Sequence, residues 1–142
     1  MSVAHNVALA YRVVEEVWNG ADLGVADALF APAYVNHGGL ISDLVRGPEA
    51  IEITVALYRT AFPDLHSTVE HLIAENDLVV VHCSARNMHP DEVTGSTRAE
   101  RPAGVTGMTL CRLAGGKIVE SWEAAGVLSR LGVIALDVQA RP

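Results

Sequence analysis

The sequence predicts an α+β domain, with helices first and a largely antiparallel sheet after them, on three observations. Apolar residues recur at every third or fourth position up to Phe62, they fall from Leu65 onward into short runs rich in Val, Thr and Ile, and those runs are parted by the turn pairs Asn76-Asp77 and Gly115-Gly116. The first pattern is the period of a helix face, the second that of strands, and paired Gly or Asn-Asp marks a tight turn. Helices segregated from strands in this order cover one face of a meander. With 142 residues, a single domain spanning 1–142 is expected.

Val3, Val7, Tyr11, Val14 and Trp18 mark one face of a first helix, and Gly20 is expected to supply its left-handed C-cap. Asp22 can N-cap a short second helix carrying Val25, Leu29 and Phe30, which Pro32 ends. Tyr34–His37 reads as a short strand. Pro48 and Glu49 open a third helix with Ile51, Val55, Tyr58 and Phe62 on its apolar face, and Pro63 stops it. Strands follow near Leu65–Ala74, Leu78–Met88, Ala103–Leu113 and Lys117–Glu123. In the second of these, Val79, Val81, Cys83, Ala85 and Asn87 share a parity read as the inner face, which extends to His89. In the last, Trp122 shares a parity with Ile118 and Glu120, while Glu123 points the other way.

Composition narrows the function. Ten cationic residues against 17 acidic ones give a net charge of −7, which argues against nucleic acid and anionic membrane surfaces as partners. Half the residues are apolar and 19% are charged, so the chain can bury a large core. No apolar stretch is long enough to span a membrane, and the N-terminus lacks the pattern of a secretion signal, so a cytoplasmic setting is expected. Cys83 and Cys111 read as buried reduced thiols. The generous apolar share also predicts a homodimer built on the outer face of the sheet.

Six histidines invite a metal hypothesis, but His66 and His71 are five apart on one strand and His82 and His89 seven apart, so neither pair chelates along its strand and no metal site is expected. His89, at the end of an apolar strand face, and His37, before Gly38-Gly39, are the candidate proton carriers. Trp122 reads as core or as a pocket wall. A phosphate loop, a GxSxG elbow and a Cys-His nucleophile pair are all missing.

The segments Val17-Trp18-Asn19, Leu29-Phe30-Ala31-Pro32-Ala33-Tyr34-Val35-Asn36-His37, Arg46-Gly47-Pro48-Glu49-Ala50, Ala61-Phe62-Pro63-Asp64-Leu65 and Gly116-Lys117-Ile118-Val119-Glu120-Ser121-Trp122, with Leu131-Gly132-Val133 near the end, together resemble the SnoaL-like polyketide cyclase family. The resemblance implies an NTF2-like cone, a curved and mainly antiparallel sheet wrapped by three N-terminal helices around an apolar cavity. It also implies a dimer, and acid/base chemistry without metal or organic cofactor on a hydrophobic small molecule such as a polyketide. His89 matches the histidine of a family motif whose glycines are absent here. The Asp that characterised cyclases carry shortly after the last-strand Trp, and the His on the strand before, are absent too, so Glu123 is read as a substitute acid beside His89 and His37. Trp18, Asn36, Tyr58, Phe62, Met108 and Trp122 would shape the pocket. Two other readings stay open: an epoxide hydrolase of the same fold, and a non-catalytic small-molecule-binding protein.

Overall fold

A computed structural model describes residues 2–38, 41, 44–87 and 105–123. Ser2 opens helix α1 (Val3–Arg12) by accepting a hydrogen bond from the His5 amide at 3.1 Å, which satisfies one of the helix's free N–H groups. The chain continues as a π-helical stretch over Val13–Asn19. Gly20 then departs from the expected C-cap, because its φ is −81° and the left-handed conformation falls to Ala21 at +52°. Space explains the glycine instead: a Cβ there would sit 2.8 Å from the Glu16 carbonyl oxygen. The Asp22 side chain makes no cap, and a 3₁₀ turn (Leu23–Val25) leads into the four residues of α2 (Ala26–Leu29).

Phe30 was expected in that helix, but it begins strand β1 (Phe30–His37), and Pro32 lies inside the strand. The proline is tolerated because β1 is an edge strand and its pairing with β5 is irregular between Phe30 and Val35. Helix α3 (Pro48–Ala61) has the expected proline at its start. The meander comprises β2 (His66–Glu75), β3 (Leu78–Arg86), β4 (Val105–Ala114) and β5 (Lys117–Glu123).

The sheet order is β1-β5-β4-β3-β2, antiparallel except where β1 joins β5 in parallel. It is a mixed, open, curved sheet of five strands with the helices over its concave side. Val79, Val81, Cys111, Leu113 and Ile118 are buried on that side, packed with Leu9, Val14, Val17, Ile51 and Val55 from the helices. The parity read for β3 is the one observed. Besides the irregularity in the β1–β5 pairing, two bulges interrupt the alternation. One lies in β2 between Val69 and His71, the other in β5, where Ile118 pairs with Leu113 and Glu120 with Arg112, leaving Val119 as the extra residue. Among the described residues no helix is long and apolar enough to cross a membrane.

Candidate functional site

The concave face and the helices line a partly open cavity of about 350 Å³, a size that suits a small organic ligand. Its walls are mostly apolar, with Val14 and Trp18 from the first helical run, Ile51 and Tyr58 from α3, Phe30 from β1 and Val81 from β3. The Trp18 and Tyr58 rings meet edge to face, centroids 5.3 Å apart, so one aromatic fixes the position of the other.

Strand pairing brings one line of polar groups to this apolar surface. Tyr34 and Asn36 are two apart on β1, Ser121 and Glu123 two apart on β5, and the parallel register sets Asn36 beside Ser121. The Tyr34 hydroxyl lies 2.6 Å from Ser121 Oγ, Ser121 Oγ donates to Asn36 Oδ1 at 3.2 Å, and Asn36 Nδ2 donates to Glu123 Oε1 at 3.2 Å. A serine has one hydroxyl hydrogen, and here it goes to Asn36, so Tyr34 must be the donor to Ser121. The result is a one-way chain of donors ending on a carboxyl group. Tyr34, Asn36 and Ser121 are all buried, and each finds the partner that a buried polar group requires.

Burial pushes the Glu123 pKa above the usual carboxylate value, and the Asn36 hydrogen bond opposes the shift only in part. The Tyr34 phenol also moves up, chiefly by burial, with Ser121 opposing and the Glu123 charge adding to the rise. Tyr34 therefore stays a donor across the physiological range. Burial raises Cys83 to about 11 and Cys111 to about 12, so these free thiols on the cavity wall carry little thiolate near neutral pH. Glu123 is the group suited to move a proton. A carboxyl group held above its ordinary pKa can deliver a proton to a ligand oxygen or, once ionised, accept one from carbon.

Of the residues singled out in the sequence, Trp18, Tyr58 and Glu123 line the cavity, and Asn36 is buried behind Glu123. Met108 borders the rim, and its strand register pairs it with His82 on the convex side. Phe62 is buried away from the lining. Trp122 and His37 are elsewhere. Counting straight from Ile118 turns Trp122 inward, but the extra residue at Val119 reverses the alternation, so Ser121 and Glu123 face the cavity and Trp122 faces out. His37 alternates with Asn36 and shares that outer position. Its Nε2 lies 3.0 Å from Glu120 Oε2, and its ring stacks on Trp122 at 5.3 Å between centroids. The expected wall of Trp122 and Phe62 is thus not formed, and His37 does not reach the cavity. His89 lies outside the described residues. Tyr34 and Ser121 were missed in the sequence, although each stands two positions before a residue that was chosen.

The family profile of SnoaL-like polyketide cyclases matches residues 8–131. The chain belongs to that family. IdmH from Streptomyces antibioticus, a candidate polyketide cyclase, is 27% identical over 92% of this chain and 98% of its own, with a TM-score of 0.71. A candidate SnoaL-like cyclase from Jannaschia sp. CCS1 is 26% identical, covering 93% and 92% of the two chains at 0.69. AclR from Streptomyces galilaeus, a candidate hydroxylase, is also 26% identical, covering 94% and 99% at 0.67. No curated protein matches the sequence at a significant level. Because the similar structures include both candidate cyclases and a candidate hydroxylase, the reaction of this SnoaL-like chain has to be argued from its cavity residues and not from the fold.

Proposed function

We propose that this SnoaL-like chain is a cofactor-independent acid/base enzyme of the cyclase type, which holds a hydrophobic small molecule such as a polyketide in its cavity and moves a proton through Glu123. The observation that carries the reading is Glu123 itself: a carboxyl group at an apolar cavity, its pKa raised by burial, oriented by a hydrogen bond from Asn36. Proton removal next to a carbonyl is the step common to cyclase, isomerase and lyase chemistry, so it can be tested without the natural substrate. A fused-ring ketone such as 2-tetralone, incubated in D₂O, should exchange its α-hydrogens faster with the protein than in buffer, and Glu123→Gln should remove most of the acceleration. Saturable binding of the ketone with exchange no faster than in buffer would favour a non-catalytic binding protein. His89 belongs to the same proposal as a second proton carrier.

An inward carboxylate beside a hydrogen-bond donor is also what an epoxide hydrolase needs to activate water, and Glu123 with Asn36 supplies that pair. Incubating an aryl epoxide in ¹⁸O-water separates the two readings, since only a hydrolase yields labelled diol above the buffer rate.

We further infer a homodimer that buries the apolar row crossing the convex face of the sheet. The strand register lines up Ile73, Val80, Leu110 and Trp122 across β2, β3, β4 and β5, and Ile73 and Trp122 are 67% and 37% exposed. A continuous apolar row is what a second copy of the same sheet can cover. The two free thiols fit a reducing compartment such as the cytoplasm.

A further inference from the structure

The convex face carries a second cluster that the cavity chemistry does not use. The bulge between Val69 and His71 shifts β2 by one residue, so that His71 pairs directly with His82 of β3. The imidazole rings lie 13° from parallel with centroids 5.3 Å apart, and the two Nδ1 atoms are 3.0 Å from each other. Two Nδ1 atoms at that distance share one proton: one ring donates and the other accepts. The two lone pairs point at each other along that line, and turning each ring about its Cβ–Cγ bond aims both at one point beside it, where a metal ion can bind in exchange for the shared proton.

We propose that His71 and His82 form a binding site for a divalent transition-metal ion, copper(II) in preference to nickel(II) and zinc(II). The preference follows from the donor set, because imidazole nitrogen suits all three ions and copper(II) stands highest among them in intrinsic affinity for nitrogen ligands. Glu70, the extra residue of the bulge, accepts a hydrogen bond from the Ser84 hydroxyl at 2.6 Å. Among the described residues no third histidine, cysteine or carboxylate completes a metal cluster, so the remaining positions belong to water. Along the strands the histidines show no chelating spacing, and only the pairing of β2 with β3 creates one.

The test is titration of the purified full-length protein with copper(II), followed by calorimetry and by electron paramagnetic resonance. The expected result is one ion per chain, with a spectrum showing two equivalent imidazole nitrogens. His71→Ala and His82→Ala should each weaken binding by at least tenfold and reduce the coupling to one nitrogen, whereas His66→Ala should change neither. Nickel(II) and then zinc(II) should bind progressively more weakly. Far-ultraviolet circular dichroism of each variant confirms that the sheet is intact. Copper binding that survives both substitutions unchanged, or a site that prefers zinc(II) to copper(II), overturns the proposal.

Discussion

Glu120 and Glu123 stand three positions apart on one strand, and folding drives their pKa values in opposite directions. Glu120 faces solvent on the convex side. Its carboxylate is held below the ordinary value by hydrogen bonds from Arg112 and His37, Arg112 Nη2 lying 2.7 Å away. Glu123 faces the concave side, where burial holds it above that value. Two like groups on one strand therefore become a permanent anion and a group able to exchange a proton. Neighbouring carboxyls whose environments push them apart in this way are the physical basis for assigning acid/base roles.

The sharpest way to break the comparison is substitution. Glu123→Gln should lower kcat in the ketone exchange assay by roughly 10²–10⁴-fold, the range expected for losing a general acid or base, while Glu120→Gln should leave the rate within about a factor of two. The next effect concerns the convex face as a whole. Ile73→Asp puts a charge at the β2 end of the apolar row and should convert a dimer to a monomer by light scattering at micromolar protein, and a wild-type monomer at that concentration would remove the dimer inference.

Stability against pH should then separate the two carboxyls by sign. A carboxyl raised on folding contributes stability that is present below its unfolded pKa and lost as pH rises through its folded one. The Tm of the wild type should therefore fall relative to Glu123→Gln as pH climbs above about 4.5, the ordinary carboxylate value. A lowered carboxyl does the reverse, so any advantage of the wild type over Glu120→Gln should be present at neutral pH and vanish below about 4.5. The smallest effect expected is that of Tyr34→Phe, which leaves Ser121 without its donor and should reduce the unfolding free energy by about 1 kcal/mol in urea titrations.

Much of this arrangement was legible in the sequence. Helix and strand periods gave the order of elements, β5 has the expected bounds, and the parity of Val79 and Val81 identified the buried side of β3. The errors within the sheet share a cause, because each depends on a partner strand that a linear reading cannot see. Val119 looks like any other strand residue, yet it is the extra residue of a bulge, and one unseen bulge was enough to turn Trp122 out and Ser121 in. Pro32 reads as a helix stop until β1 is known to be an edge strand. His71 and His82 were each compared only with histidines of their own strand. Asn36 and Glu123 were legible as polar residues near strand ends, while Tyr34 and Ser121 needed the parallel register of β1 with β5 before their hydroxyls could be joined.

That register also sets a timetable. β2 to β5 pair with near neighbours along the chain, but Tyr34 meets Ser121, and Asn36 meets Glu123, across 87 positions. Synthesis at about 5–20 residues per second leaves β1 without its partner for on the order of 4–17 s, and contacts of such long range are the slow ones in folding. The wall bearing the proton-carrying group is therefore finished only after β5 has left the ribosome. A nascent chain that has not yet released β5 has no completed cavity with which to bind a small molecule, so a ligand can stabilise this protein only once that strand has paired with β1.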